Sequence, residues 1–153
     1  KVLVFNLGFI KRSKYTEEHW MYIPDKKVNF YRIGFYDNIL DADKLSMYIE
    51  IGYGKNDVIT DADVETQLKL TLENLHKLGI IDDETKLEEH STIIMDPAYV
   101  HINTETEKRI QEFKEREAGN NIYTIGRYGA WTYCSMEDCM IAAKNLAEKL
   151  NAE

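Results

Sequence analysis

The stretch VLVFNLGFI, residues 2–10, decides how the chain is read. Eight consecutive residues from Val2 to Phe9 carry one polar side chain, Asn6, and one glycine. A strand with only one covered face alternates apolar and polar residues, so a nearly unbroken apolar run of this length predicts a strand buried on both faces. The runs that follow read differently. Trp20 to Ile23 (WMYI), Phe30 to Tyr36 (FYRIGFY) and Leu45 to Tyr53 (LSMYIEIGY) are aromatic and β-branched with partial alternation. They are separated by turn-like Pro24-Asp25-Lys26-Lys27 and Asp41-Ala42-Asp43. Short connections between such strands favour an antiparallel meander.

Helical periodicity begins near Asp61, a predicted N-cap, and continues through Val64, Leu68, Leu72 and Leu75 to Gly79, a natural residue just past a helix end. Leu87 to Ile102 returns to strand character. Asp96-Pro97 interrupts it, which predicts an edge strand or a break. A second helix is predicted to open on the capping box Thr104-x-x-Glu107, with only Ile110 and Phe113 as anchors and a solvated Glu/Lys-rich face from Glu105 to Glu117. Asn121 to Thr124 reads as a strand, Gly126 to Tyr133 as a glycine-punctuated crossing, and Met136 to Leu150 as a helix. The capping box Ser135-x-x-Asp138 opens that helix, and Cys139, Ala143, Leu146 and Leu150 are predicted on its inward face. The expected class is α+β, a mainly antiparallel sheet with covering helices.

Composition narrows the function. Twenty-seven acidic against 19 basic residues give a formal charge of -8, and Lys and Arg are scattered, which disfavours a surface that tracks a nucleic-acid backbone. No apolar run approaches the roughly 20 residues needed to cross a bilayer, and no secretory signal pattern is present. The two cysteines, Cys134 and Cys139, are five apart and expected on different faces, so neither a disulfide nor a metal site is predicted. His19, His76, His90 and His101 fall in separate elements without ligand-like spacing. A cytoplasmic protein that binds neither nucleic acid nor membrane is the expectation.

The residues with chemical promise lie at Gly126-Arg127-Tyr128-Gly129 and just after it. Glycines allow close backbone approach, the arginine offers a fixed fork of donors, and a helix N-terminus follows with free amides and a positive dipole end. By itself this is equally well a strand-to-helix turn with a surface arginine. Upstream, Arg32 sits in an apolar strand and needs a partner, an internal carboxylate such as Glu50 or an external anion.

The string GRYGAWTYCSMED, residues 126–138, resembles the carboxy-terminal FAD-binding signature of UDP-galactopyranose mutases, with looser similarity to protoporphyrinogen and amine oxidases. Trp20-Met21-Tyr22-Ile23-Pro24 followed by Phe30-Tyr31-Arg32 is similar to the W-x-Y-F-P and F-Y-R pair of eukaryotic-type mutases. The resemblance implies a fragment of a two-domain FAD-dependent fold, residues 1–153 forming its carboxy-terminal region. In it, a substrate-domain sheet occupies about 1–120, a final strand and helix of the FAD layer about 121–150, and the amino-terminal Rossmann segment is absent. The glycines never give the G-x-G-x-x-G spacing that holds the ADP half of FAD, so the fragment is expected to be inactive on its own and a poor binder of the cofactor.

Carried over residue by residue, the resemblance implies Arg32, Arg127, Tyr22, Tyr99 and Tyr133 at a nucleotide-sugar site, with a UDP-hexose as substrate. It implies Gly126, Arg127, Gly129, Met136, Glu137 and Asp138 at the flavin. No side chain is implied as nucleophile, since in that family the flavin N5 plays that part, and the pathway implied is cell-surface polysaccharide or lipopolysaccharide synthesis. Two rival readings remain, an amine-oxidase or protoporphyrinogen-oxidase-like oxidoreductase and a non-catalytic module that binds a nucleotide sugar or a protein.

Overall fold

The computed structural model describes residues 1–40 and 42–152, and Asp41 of the predicted turn lies outside them. The chain forms two compact units, residues 1–98 and 99–153.

The first unit is built on a five-stranded antiparallel sheet. Its strands are β1 (Val2–Phe9), β2 (Trp20–Tyr22), β3 (Arg32–Phe35), β4 (Leu45–Gly52) and β5 (Leu87–Met95), in spatial order β2-β3-β4-β1-β5. β1 pairs with β4 and β5 on its two sides, and its apolar run is explained by cover on both faces: Leu3, Phe5, Leu7 and Phe9 enter the main core, while Val2 and Val4 pack with Ala98, Tyr48 and Met95 on the other face. β2, β3 and β4 form the expected meander, and β5 takes the outer edge, ending at Met95 just before Asp96-Pro97.

One face of this sheet is the core. Leu3, Phe5, Leu7 and Phe9 of β1 join Ile33 and Phe35 of β3 and Leu45, Met47, Ile49 and Ile51 of β4, all essentially without solvent contact. The helix α2 (Asp61–Lys77) covers it with Leu75, and Val64, Leu68 and Leu72 pack half-buried beside it. Burying a side chain of this size contributes about 1.5–3 kcal/mol, so the layer of sheet and helix dominates the stability of this unit. A polar network also docks α2. Asn29 Nδ2 donates to Thr71 Oγ1 at 2.9 Å and to Gln67 Oε1 at 2.8 Å, and Asn74 Nδ2 donates to Asn29 Oδ1 at 2.9 Å. Thr71 and Asn74 are buried, so these bonds satisfy groups that would otherwise be costly to enclose.

The predicted helix start is off by one. Thr60, not Asp61, is the N-cap, and its hydroxyl and the Asp63 carboxylate satisfy each other's backbone amides. Gly79 has φ +64 and follows the end of α2 as expected. A short helix α1 (Tyr36–Leu40) continues directly from β3, in place of the last residue of the predicted strand.

The second unit is helical: α3 (Thr104–Ala118), α4 (Gly126–Gly129) and α5 (Met136–Ala152). Asn103 caps α3 with Thr106 as its reciprocal partner, one residue before the predicted box. The strand expected at Asn121 to Thr124 is not formed. Asn121 adopts φ 60, which turns the chain after α3, and the following residues run without a partner strand. The predicted box at Ser135 is present, with Ser135 N and Oγ donating to Asp138 Oδ2 and Asp138 N donating back to Ser135 Oγ. Of the predicted inward residues of α5, Cys139 and Leu146 are half-buried, whereas Ala143 and Leu150 are exposed and Ala142 turns inward instead. The stripe therefore follows an i, i+3, i+7 path along one side of the helix. None of the three helices buries a residue completely.

Candidate functional site

The second face of the first unit's sheet carries tyrosines, a tryptophan and charged side chains where the core face carries aliphatic residues and phenylalanines. Register explains the grouping. Tyr22 opposes Arg32, Arg32 opposes Glu50, and Trp20 and Tyr48 both oppose Gly34. In a pleated sheet such partners share a face, so one surface gathers Trp20, Tyr22, Arg32, Tyr48 and Glu50.

Arg32 is the centre of this group. Its guanidinium carbon lies 5.9 Å from the Trp20 ring, 5.7 Å from Tyr22 and 5.5 Å from Tyr48. Its Nη1 is 3.5 Å from Glu50 Oε1, longer than the 2.7–2.9 Å of a tight charge-assisted bond. Tyr31 donates its hydroxyl to the other oxygen of Glu50. Of the two partners that the sequence offered Arg32, the internal carboxylate is therefore present but loosely engaged. The arginine Nε is buried with no hydrogen-bond partner in the structure, while the side chain as a whole keeps 28% of its surface open. Burial alone would weaken the charged form, but the Glu50 charge followed by Tyr48 and Tyr22 holds the guanidinium above its ordinary pKa. Burial raises the Tyr48 phenol, with the neighbouring Arg32 opposing that shift.

Gly34 makes this arrangement possible. A Cβ there would lie 2.0 Å from Tyr48 Cε1 and 2.2 Å from Cζ, so the tyrosine ring occupies the space that any other residue would fill. The sequence reading named Tyr22 and Arg32 and missed Tyr48, Glu50's coupling to Tyr31, and Gly34. An isolated glycine inside an aromatic strand was the available signal, because it marks a close approach by something bulky.

The second unit holds the other candidates. Arg127 lies in the single turn α4. Its Nε and Nη2 donate to the Cys134 carbonyl at 3.2 Å and 2.7 Å, and the guanidinium stacks 4.7 Å from the Tyr133 ring. Two of the donors expected to face a ligand thus close the loop between α4 and α5. Gly126 has φ +78, a conformation that favours glycine. The bare side of Gly129 abuts its own chain, since a Cβ there would meet the Thr124 carbonyl carbon at 3.3 Å. At the start of α5 the Asp138 amide is taken by Ser135, whereas those of Met136 and Glu137 sit at the helix opening, where no intrahelical acceptor exists. Both of those side chains are exposed, and so is Tyr133. Tyr99 opens the unit at 39% exposure.

The cysteines depart from expectation. Cys134 and Cys139 bring their sulfurs to 3.6 Å. The predicted divergence assumed that both belong to one helix, but Cys134 precedes the Ser135 cap and follows a non-helical path. Partial burial, then the contact with Cys139, pushes the Cys134 thiol above its usual pKa. Among the described residues there is no group of three or more potential ligands for a metal ion, and no helix is long and apolar enough to cross a membrane.

No protein-family model matches the chain, and no curated protein matches it in sequence. Solved structures do match its fold. A reduced UDP-galactopyranose mutase superposes with a TM-score of 0.68 at 17% identity, covering 86% of this chain and 28% of that one. A protein designated a candidate protoporphyrinogen oxidase from Exiguobacterium sp. 255-15 superposes with a TM-score of 0.61, also at 17% identity, covering 97% of this chain and 34% of that one. The chain therefore has a fold found in parts of both proteins and spans about a third of their length.

Proposed function

We propose that this chain is the carboxy-terminal part of a flavin-dependent enzyme of the UDP-galactopyranose mutase type, acting in the cytoplasm on a nucleotide sugar for cell-surface polysaccharide synthesis. The observation that carries the reading is Arg32, a half-open guanidinium within three aromatic rings, loosely tied to one carboxylate and with a buried Nε lacking an acceptor. A planar, always-charged fork that keeps 28% of its side chain open is suited to a phosphate or diphosphate oxygen. Glu50 keeps the guanidinium oriented, Tyr48 and Trp20 restrict its swing, and Tyr22, 64% exposed beside it, offers a ring for a ligand to lie against.

The residues of the second unit fit a flavin in part. The open amides of Met136 and Glu137 at the α5 terminus suit an electron-rich ring edge, and Gly126 leaves the chain free of a Cβ at the turn before them. Arg127 would shape this turn more than grip a ligand, with Tyr133 stacked on it. FAD, when bound, would supply the nucleophile for sugar transfer or the acceptor for oxidation. The task of the first unit's own residues would be to hold the departing diphosphate, Arg32 foremost.

Exposed apolar residues support the reading that more protein belongs with this chain. Met136, Met140 and Ile141 of α5 are 81%, 70% and 50% exposed, a density of uncovered apolar surface that ordinarily marks an interface.

The oxidase reading is favoured by one observation, the engagement of Arg127 with the Cys134 carbonyl, which removes the second arginine from an obvious diphosphate grip. One experiment separates the two. The intact protein is purified, inspected for flavin absorbance, and assayed with UDP-galactose under dithionite and with amines and porphyrinogens under air. Ring contraction supports the mutase, oxidation alone selects the oxidase, and a colourless protein refutes both. In an active mutase, Arg32→Ala is expected to cut turnover by about 10²–10³-fold, as loss of one preorganised donor does elsewhere. Unchanged turnover would remove Arg32 from the site.

A further inference from the structure

We infer that Cys134 and Cys139 form a redox-active dithiol that closes to a disulfide and fastens the Arg127 turn to the first turn of α5. This goes beyond the flavin reading and does not rest on it. The sulfurs lie 3.6 Å apart, so a modest rotation of either side chain brings them to the roughly 2 Å of a bond. Both cysteines are free and half-buried, which leaves a path for a small oxidant.

The surroundings favour the pair. Cys134 is held from its backbone, where its carbonyl accepts both the Nε and Nη2 hydrogens of Arg127. Cys139 is held by the helix, its amide donating to the Ser135 carbonyl. Its sulfur lies beside Gly126, at an ordinary van der Waals distance of 3.8 Å from where a Cβ would project. The pair thus spans the Ser135 cap, one member fixed by an arginine and the other by α5. Closing the bond joins the carbonyl that orders Arg127 covalently to the helix, so oxidation stiffens the turn and reduction releases it.

The step balances with a low-molecular-weight disulfide as oxidant. One cysteine thiolate attacks the oxidant and displaces a thiol, forming a mixed disulfide. The second thiolate then attacks the protein sulfur of that bond and displaces the other thiol. The two cysteines are oxidised by two electrons, the oxidant is reduced to two thiols, and the protons pass to them.

The test equilibrates the 153-residue chain in mixtures of reduced and oxidised glutathione, quenches with an alkylating agent and reads intact mass. The expected product is a monomer lighter by two hydrogens and resistant to alkylation at both positions. Preorganisation makes the equilibrium toward that product about tenfold or more favourable in the folded chain than in denaturing urea. Cys139→Ser should instead accumulate a glutathione adduct on Cys134. Adducts or intermolecular dimers in place of the bridged monomer would overturn the proposal. So would an equilibrium equal in folded and urea-unfolded chains, because it would assign the reaction to short sequence separation rather than to the fold.

Discussion

Replacing Gly34 by alanine tests the construction of the Arg32 site most directly. The added Cβ would fall 2.0 Å from Tyr48 Cε1 and 2.6 Å from its hydroxyl oxygen, all atoms of one side chain. The strand backbone is fixed on both sides by β2 and β4, so the ring must leave. Overpacking of this kind costs about 1–3 kcal/mol, and displacing the ring also forfeits a cation–π contact of about 0.5–2 kcal/mol. Against this, alanine stiffens the unfolded chain and recovers about 0.4–1 kcal/mol. The net expectation is destabilisation by about 1–3 kcal/mol, lowering the melting temperature by about 2–4 °C per kcal/mol for a chain of this size. Urea denaturation followed by tryptophan emission and by circular dichroism measures it. The decisive comparison is with Tyr48→Ala, which empties the space. In that background Gly34→Ala should become neutral or slightly stabilising, giving a coupling of about 2 kcal/mol between the two sites. Equal costs in the two backgrounds would refute the steric account.

Three further outcomes follow from other parts of the molecule. Asp82 is held at about 2 by the Thr85 hydroxyl first and by Lys11 next; because its folded value is depressed, the benefit is present above the ordinary value of 3.8 and is lost as pH falls through about 2. Thr85→Val should raise the Asp82 midpoint toward 3.8 in a carboxyl-detected NMR titration, and an unmoved midpoint would discount the hydroxyl. Thr60→Ala, which removes the N-cap of α2, should cost about 1 kcal/mol in urea denaturation, with Thr60→Ser recovering most of it. Ser135→Ala should loosen the start of α5, seen as faster amide exchange at Met136 to Asp138, while leaving exchange in the sheet unchanged.

Legibility in the sequence tracked the range of the interactions. β1 was readable because burial on both faces leaves a local imprint, an unbroken apolar run. The helices were readable from spacing, but two starts slipped by one residue because Thr60 and Asp61, like Asn103 and Thr104, are adjacent residues of types that can each cap a helix, and only the first of each pair does so. Asn121 to Thr124 misled because Ile122 and Thr124 have strand-like side chains, yet a strand requires a neighbour and none is supplied there. The Asn29–Thr71–Asn74 network left no local sign, since each member is an ordinary polar residue until α2 is laid on the sheet. At the candidate site, Tyr22 and Arg32 were found through their motif. Glu50 was named as a partner for Arg32 because a charge in an apolar strand needs one, whereas Tyr48 was not named, because it reaches Arg32 only through the register of β3 against β4. The cysteine pair was misjudged for a related reason, as helix geometry was extended one residue past the cap.

The strand order carries a consequence for how the first unit comes into being. β1 is made before the other four strands described and is one of the last to be completed, because Val2 must find Gly52 on one side and Met95 on the other. Until residues of β5 leave the ribosome, one of the most oily segments of the chain has an open flank. High contact order of this kind slows folding and lengthens the time during which a nascent chain is vulnerable to misassociation.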